Sequence, residues 1–257
     1  MGLFYNLVIF IFGASIGSFL NVLIDRLSKD EDINGRSHCD FCGKKIVWYD
    51  LFPIISFFVL KGKSRCCKKK LSFQYPTIEF MTGIIFLLIY FEFGELTNYL
   101  KLIILFGLAS SLLVIFVSDL KYHLISDYLL LALFIFSVVY HIISISFISL
   151  FLYFFISALV VAFPIWLIYF ISKERAMGLG DVYLSAIMGF LLDWKAGLIA
   201  LYIAFITGAI FGLIIIIFKN KKLKSKVAFG PFLVIGTVVM LFWGEKVLEV
   251  IKGIYGF

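Results

Sequence analysis

The sequence is poor in the features that mark a soluble domain. Only 15% of its 257 residues are charged and only four are proline, whereas 63% are hydrophobic and 31 are phenylalanine. Soluble domains are nearer half apolar. The shortage of charge and of proline, with a mean hydropathy of +1.08, argues against a soluble two-layer fold. It predicts an all-α, polytopic membrane protein whose core is set by the bilayer.

Apolar runs recur along the whole chain, separated by short polar loops and by one long polar loop at 25–76. A spanning helix needs about 17–25 mostly apolar residues. On this basis we expect about eight transmembrane helices, with a large cytoplasmic loop after the first. Their predicted ranges are roughly 3–24, 77–93, 99–118, 126–143, 146–171, 182–194, 197–218 and 229–249.

Lysine and arginine are unevenly distributed among the loops. Most of the 23 basic residues lie in the alternate loops 25–76, 119–125, 172–181 and 219–228. Because short cytoplasmic loops collect positive charge, we expect these loops inside the cell and the amino terminus outside. The basic residues of these loops also account for the net charge of +7. We therefore expect the protein to contact the lipid bilayer and not to bind a nucleic acid.

Two aspartates lie at the edges of apolar runs. Asp119 follows the run 102–117, and Asp181 closes the tetrapeptide 178–181 and opens the run 182–192. The predicted topology puts both at the same depth on the cytoplasmic side. Acidic residues at the ends of spanning segments are costly and are candidates for function. The sequence therefore points to a shared acid–base site at the cytoplasmic face.

Two neighbouring carboxylates cannot both ionise cheaply, so such a pair shares a proton. One carboxylate can then activate water while the other polarises a peptide carbonyl, which is aspartyl proteolysis. Gly178 and Gly180 would let the backbone turn and an extended peptide approach. The alternative is structural: Asp181 is a good helix cap, Asp119 could be a solvated helix end, and Asp127 could cap the next helix.

All four cysteines lie in the long loop. Cys39 and Cys42 have the spacing of a metal knuckle, and Zn²⁺ bound by four thiolates is one interpretation. The other is a set of ordinary loop thiols. Cys66 and Cys67 are adjacent, which makes a single tetrahedral ion harder to reach, and His38 could replace one ligand. Disulfides are not expected in a reducing cytoplasm.

These motifs, taken in chain order, resemble the bacterial type IV prepilin peptidases, which are bifunctional leader peptidases and N-methyltransferases of the GxGD-type membrane aspartyl protease family. The similarity covers nearly the whole chain. It is carried by these segments: Gly17-Ser18-Phe19-Leu20-Asn21-Val22 with Arg26, the cysteine loop with Trp48-Tyr49-Asp50 and Pro53, Tyr75-Pro76-Thr77-Ile78-Glu79, Asp119-Leu120, Ile125-Ser126-Asp127 and Gly178-Leu179-Gly180-Asp181.

The resemblance implies an enzyme of the bacterial inner membrane that cleaves prepilins or pseudopilins after a Gly at the cytoplasmic face. It then methylates the new amino terminus with S-adenosylmethionine, and proteolysis itself needs no cofactor. Residues 1–95 would hold the methyltransferase part, and 96–257 a six-helix protease domain. The implied site residues are the catalytic pair Asp119 and Asp181, the supporting residues Gly178, Gly180 and Asp127, and the methyltransferase candidates Asn21, Arg26 and Glu79.

Two departures from the family pattern concern the loops. Ser126 stands where the family usually has proline before Asp127, and serine is itself a good helix cap. Ser64 stands where the partner of Cys67 is usually found, which bears on the zinc site. Arg26 also has a simpler interpretation, in which it snorkels to the membrane surface.

Two other functions remain open from the sequence. A proton- or cation-coupled transporter uses similar acidic residues, but it usually has helices broken at mid-membrane and internal repeats, and the sequence has neither. An inactive assembly scaffold of a pilus or secretion system is the other alternative, and the retained aspartate pair argues against it.

Overall fold

The computed structural model describes residues 2–29, 31–32, 35–39, 41–94, 99–144, 147–219 and 228–255. Within these ranges the chain forms nine α-helices and no β-strand. The helices are α1 (Gly2–Leu27), α2 (Ile55–Val59), α3 (Gln74–Phe93), α4 (Tyr99–Tyr122), α5 (Asp127–Ser144), α6 (Phe147–Ser172), α7 (Leu179–Leu192), α8 (Trp194–Lys219) and α9 (Gly230–Tyr255).

Each predicted apolar segment is a helix, which confirms an all-α polytopic membrane protein. Within the described ranges, six helices are long and apolar enough to cross a bilayer, namely α1, α3, α4, α6, α8 and α9. Helices α5 and α7 are shorter apolar helices, so a count of eight complete spans stays a prediction. The basic loop residues 220–227 and the predicted boundary at 145–146 lie outside the described residues.

The chain divides into two compact units within α4, Met1–Val114 and Ile115–Phe257. The domain boundary at 95–96 remains a prediction from the sequence. In the first unit, α1 packs closely against α3 because both helices present glycine. A Cβ on Gly13 would lie 2.9 Å from the Cα of Gly83, and one on Gly17 would lie 2.8 Å from the Cα of Glu79. Small residues allow such close helix contact in membranes.

In the second unit, α7 is the central helix and packs against α5, α6, α8 and α9. Nine of its residues are buried, including Asp181 near its start and Phe190 near its end. Gly189 allows α6 to approach, since a Cβ there would lie 2.6 Å from the carbonyl oxygen of Ser157. This burial holds the amino end of α7, and with it Asp181, in a fixed position within the unit.

Candidate active site

Asp119 lies one turn from the carboxyl end of α4 and is 6% exposed. Its Oδ2 accepts a 2.9 Å hydrogen bond from the backbone N–H of Gly230, the first residue of α9. The amino end of a helix carries unpaired N–H groups and a partial positive charge, both of which favour an anion. The Asp119 carboxylate is therefore bound at the start of a helix that follows it by 111 residues.

Asp181 occupies the first turn of α7 and is 8% exposed. Its Oδ2 accepts a 3.2 Å hydrogen bond from the backbone N–H of Gly178. Gly178 is the N-cap of α7 and Asp181 is its third residue, so the side chain supports the start of the helix by bonding back to the N-cap without being the cap itself. This bond uses one carboxylate oxygen, so it does not exclude a second role for the group.

Ile125, in the loop between α4 and α5, lies beside both aspartate sites. A Cβ on Gly180 would lie 3.0 Å from the Cβ of Ile125, and a Cβ on Gly230 would lie 3.1 Å from its Cδ1. A Cβ on Gly230 would also lie 2.6 Å from Oδ2 of Asp119. Asp119 lies close enough to Asp181 for its charge to act on that carboxyl group. The second unit therefore gathers two buried carboxylates and two helix amino termini around one isoleucine.

The two predicted glycines have different roles. Gly178 has φ −87° and ψ 162°, an extended conformation open to any residue, and its Cβ direction is free of contacts closer than 4.0 Å. Gly180 does not have a positive φ either, but a side chain there would meet Ile125. Glycine is thus needed at 180 for space, and Gly178 contributes its N–H to Asp181.

Asp127 is exposed at the start of α5. The N–H groups of Leu129 and Leu130 donate to the carbonyl of Ser126 at 3.0 and 3.2 Å. Ser126 therefore occupies the N-cap position, and the interpretation of Asp127 as the cap is wrong by one residue. Asp127 is therefore exposed and lies outside the cap, whereas Asp119 and Asp181 are buried.

Gly230 is the site residue that the sequence did not reveal. Gly230-Pro231 does mark a helix start, because proline is tolerated in the first turn. Nothing in the sequence connects that start with Asp119.

The three methyltransferase candidates line a cavity of about 360 Å³ in the first unit. Asn21 is 2% exposed, and its Nδ2 donates to the carbonyls of Gly17 and Tyr75, each at 3.2 Å. Its Oδ1 is buried, and none of the residues that the structure describes donates a hydrogen bond to it. Buried acceptors are seldom left without a donor, so this oxygen is a ready site for a ligand N–H or O–H.

Arg26 is 8% exposed and does not snorkel to the surface. Its Nη1 donates to the carbonyl of Asp32 at 3.2 Å, and its Nη2 lies 3.3 Å from Nδ1 of His38. These contacts tie the end of α1 to the cysteine loop, because the guanidinium can donate in several directions at once. The snorkelling interpretation is therefore wrong.

Glu79 is 8% exposed and bonds to the cysteine loop through Ile54. Its Oε2 accepts a 2.6 Å hydrogen bond from the Ile54 N–H. Ile54 has φ 63° and ψ −54°, and the N–H of Ile55 donates to the carbonyl of Pro53 at 2.5 Å. This is a γ-turn of the rare, strained hand, and a β-branched residue is unfavourable there. Such strain persists only where surrounding contacts fix it, and here the buried Glu79 carboxylate is one of those contacts.

The four cysteines meet despite the adjacency of Cys66 and Cys67. Their sulfur atoms all lie within 4.8 Å of one another. Cys39 and Cys67 are 3.8 Å apart and Cys42 and Cys66 are 3.0 Å apart. A tetrahedral ion with Zn–S bonds of about 2.3 Å separates its ligands by about 3.8 Å. The four sulfurs are close enough to converge on one metal ion, with Cys42 and Cys66 separating toward that distance when it binds. His38 instead contacts Arg26.

The surroundings of the sulfur atoms differ. Burial opposes ionisation of Cys39, but backbone N–H groups of Phe41 and Cys42 bond to its sulfur and lower its pKa to about 6. The Ser64 hydroxyl lowers the pKa of Cys67, while the hydrogen bond with Cys42 raises the pKa of Cys66 to about 12. The thiolate is the form of cysteine that binds metal. Metal ions and protons therefore compete for the sulfur atoms of this cluster.

Comparison with known families gives two matches in chain order. Residues 11–93 match the bacterial peptidase A24 N-terminal domain, and residues 106–213 match the type IV leader peptidase family. The first range holds the cysteine cluster and the cavity, and the second holds both aspartates. No solved structure matches the chain.

Several curated relatives are similar over nearly the full length, each named prepilin leader peptidase/N-methyltransferase. One from Legionella pneumophila is 29% identical over 96% of this chain and 94% of its own. One from Aeromonas salmonicida is 29% identical over 95% and 92%, and one from Pseudomonas aeruginosa is 25% identical over 95% and 92%. With both family domains present in order, the chain belongs to the type IV leader peptidase family.

Proposed function

We propose that this protein cleaves the leader from type IV prepilins or pseudopilins and then methylates the new amino terminus. The observation that carries the proposal is the pair of buried aspartates, each bonded to a backbone N–H at the start of a helix. The names of the full-length relatives support the same two activities. The enzyme is a multi-pass membrane protein, and we place its active site at the cytoplasmic face of the bacterial inner membrane from the charge of the loops.

In the proposed cleavage, Asp119 and Asp181 act as a dyad that holds one proton between two carboxylates. The ionised carboxylate takes a proton from water as the water oxygen attacks the scissile carbonyl carbon. The protonated carboxyl gives its proton to the carbonyl oxygen. The first carboxyl, which took its proton from water, then gives that proton to the amide nitrogen as the C–N bond breaks, and the other carboxylate takes a proton from a hydroxyl of the diol, which restores the dyad. The released nitrogen is the new amino terminus.

Both helix amino termini support this role. The N–H of Gly230 at Asp119 and the N–H of Gly178 at Asp181 each occupy one oxygen and fix the direction of the other. Fixed donors cost no reorganisation during the reaction. The open space at Gly178 leaves room beside Asp181 for an extended peptide, while Gly180 lets Ile125 approach. We assign Asp127, which is exposed, a role toward the substrate rather than in the chemistry.

We place methyl transfer in the cavity of the first unit. S-adenosylmethionine, when bound, supplies an electrophilic methyl group on a positively charged sulfur. The cavity offers what such a cationic donor needs: the free Oδ1 of Asn21 and the buried carboxylate of Glu79. Its volume is within the range of small-molecule sites. Glu79 can also accept the proton that the pilin amino group loses, and Arg26 holds the cavity wall formed by the cysteine loop.

The cysteine cluster is proposed as a structural zinc site. All four positions of a structural Zn²⁺ ion are taken by protein ligands, with none open for catalysis. Cys39, Cys42, Cys66 and Cys67 supply four sulfurs, as such a site requires. Zinc would thus fix the cysteine loop, and proteolysis would not depend on it directly.

Incubation of the purified protein in lipid with a prepilin and labelled S-adenosylmethionine tests both activities. Mass spectrometry of the pilin is expected to find the leader removed and one methyl group added at the new amino terminus. If the leader is removed but no labelled methyl group is found on the pilin, the protein is a peptidase without methyltransferase activity. Ion-driven uptake into vesicles with no cleavage of any pilin would support a transporter instead.

A further inference from the structure

The cysteine loop exposes a group of large apolar side chains between residues 48 and 73. Each member of the group is at least half exposed in the part of the chain that the structure describes. Exposed apolar surfaces of this kind mark contacts with a membrane or with another protein. We call the group the apolar face, and its members are Trp48, Phe52, Ile55, Phe58, Val59 and Phe73.

Local contacts join the apolar face into one surface around α2. The rings of Trp48 and Phe52 are 6.0 Å apart, and the carbonyl of Phe52 accepts a 3.1 Å hydrogen bond from the first turn of α2. Within α2, Ile55, Phe58 and Val59 have the i, i+3, i+4 spacing that puts side chains on one side of a helix. The surface therefore continues from the turn before α2 to the end of α2.

Helix α2 lies at the level where α3 begins. Phe73 directly precedes α3, and its ring lies 5.6 Å from the ring of Phe57 in α2. Glu79, in the second turn of α3, accepts the 2.6 Å hydrogen bond from the N–H of Ile54, which precedes α2. Because helix side chains lean toward the amino terminus, this bond sets the start of α2 beside the first turns of α3.

Helix α3 needs nearly all of its length to cross a bilayer. Its 20 residues extend about 30 Å at about 1.5 Å per residue, which is close to the thickness of the hydrocarbon core. The first turns of α3 therefore lie at the membrane interface, and α2 lies beside them at the same depth. The outward side of α2 is then in lipid and not in water.

The charges beside the apolar face favour a membrane that contains anionic lipids. Residues 51–78 include six basic residues and no acidic residue. Lys61 and Lys63 follow α2 directly and are exposed. Basic residues next to an apolar segment attract the phosphate groups of lipids and add to its membrane binding. The charge of this segment thus complements a bilayer surface.

The inward side of α2 lines the cavity of the first unit. Ser56, Phe57 and Leu60 belong to its wall. Phe57 is also held by its ring contact with Phe73, and a Cβ on Gly62 would lie only 3.2 Å from the Phe57 ring. Helix α2 therefore has one side toward the cavity and the other toward the outside of the unit.

We propose that α2 and the turn before it lie in the bilayer interface, with the apolar face in contact with lipid, so that the membrane holds one wall of the cavity. The sequence predicts this segment as part of a cytoplasmic loop. The five residues of α2 are too few to span a bilayer, so the segment stays in one leaflet. Its effect on methyl transfer rests on the function proposed above, whereas the lipid contact does not.

Photo-crosslinking of the full-length protein in nanodiscs tests the lipid contact. The discs contain phosphatidylethanolamine and phosphatidylglycerol, and benzoylphenylalanine replaces Phe58 or Val59. Phe163, exposed in the long apolar helix α6, is the lipid-facing control position. Arg36, exposed in the polar part of the loop, is the water-facing control position. Mass spectrometry then identifies whether each probe has joined to a lipid or, when prepilin is present, to the pilin.

The probes at 58 and 59 should form lipid adducts, as the probe at 163 does, and exceed the yield at 36 by about tenfold, because hydrocarbon surrounds them. A yield at 58 and 59 no greater than the yield at 36 would mean that the apolar face lies in water. Adducts with prepilin in place of lipid would make the face a docking surface for the substrate. Either result overturns the proposal.

Methyl transfer tests the effect on the cavity. Phe58→Gln with Val59→Gln makes the face polar, whereas Phe58→Leu with Val59→Leu keeps it apolar. The glutamine pair should raise KM for S-adenosylmethionine by about fivefold or more, because two apolar side chains are lost from the lipid contact. It should leave the rate of leader cleavage unchanged, and the leucine pair should keep the wild-type KM.

An unchanged KM in the glutamine pair would show that lipid does not hold the cavity wall. Lipid adducts at 58 and 59 in a wild-type protein without any methyl transfer would support the lipid contact and remove the methyltransferase function. The two proposals can therefore fail separately.

Discussion

The backbone N–H of Gly230 donates a 2.9 Å hydrogen bond to Oδ2 of Asp119. This contact puts one buried carboxylate at the amino end of α9, while the other, Asp181, lies at the amino end of α7. Two helix ends thus hold the two acids. The positions of their oxygens depend on backbone groups, so small changes at the glycines should affect catalysis.

Gly230→Ala should lower prepilin cleavage by about a hundredfold, because the added Cβ would lie 2.6 Å from Oδ2 of Asp119. A shift of about 1 Å in a reacting group can cost this much. The assay is cleavage rate at saturating prepilin. Gly212→Ala in α8 is the control, since among the described residues its Cβ would meet no atom within 4 Å apart from its own helix backbone and chain neighbours, and alanine favours the helix there. Equal loss in both variants would argue that helix glycines in general, and not the Asp119 contact, limit activity.

Gly180→Ala should lower cleavage by about tenfold or more, whereas Gly178→Ala should have a small effect. The Cβ at 180 would lie 3.0 Å from Ile125, but the space at 178 is open to 4.0 Å and its φ suits alanine. Adding Ile125→Ala to Gly180→Ala should restore much of the rate, with a coupling of about 1 kcal/mol between the two sites. If the two substitutions are simply additive, the close approach of Ile125 is not what requires glycine.

Glu79→Gln should abolish methyl transfer and leave leader cleavage intact. Glutamine keeps the size of the side chain and can still accept the bond from Ile54, so the change removes chiefly the negative charge. Binding of S-adenosylmethionine by calorimetry and methylation of a pre-cleaved pilin are the measurements. Glu79→Ala also removes the acceptor of the Ile54 N–H at the strained turn. Comparing it with Glu79→Gln therefore separates the loss of the loop's structure from the loss of the charge. Normal methylation by Glu79→Gln would reduce Glu79 to a role in folding the loop.

Much of the fold follows directly from the sequence. Apolar runs of spanning length mark the long helices, and basic loops give a topology. The two edge aspartates are visible for the same reason, since acidic groups are rare beside such runs. The lengths of α5 and α7 also follow from their apolar runs, 126–143 and 182–194, but run length alone does not distinguish a helix that crosses the bilayer from one buried in the bundle.

The finer features of the sites depend on contacts between distant segments. Gly230 meets Asp119 across 111 residues, and no periodicity encodes this pairing. Asn21 lies where α1 contacts α3, with its Nδ2 bonded to the carbonyl of Tyr75 and its Oδ1 without a donor among the described residues. The adjacency of Cys66 and Cys67 argued against a single ion, yet the turn at Ser64 brings both sulfurs to the cluster. Local spacing rules do not foresee this arrangement, because they assume that the two thiols of a pair are separated by at least two residues.

Cleavage of a prepilin by purified wild-type protein, Asp119→Asn and Asp181→Asn is the most direct test of the aspartate dyad. Each asparagine keeps the side-chain shape and removes one titratable group. We expect the wild-type protein to release the leader. The control variant Glu245→Gln, which neutralises an exposed carboxylate, should release it as well. Both aspartate variants should be inserted, folded and inactive. Cleavage at the wild-type rate by either aspartate variant would contradict the dyad.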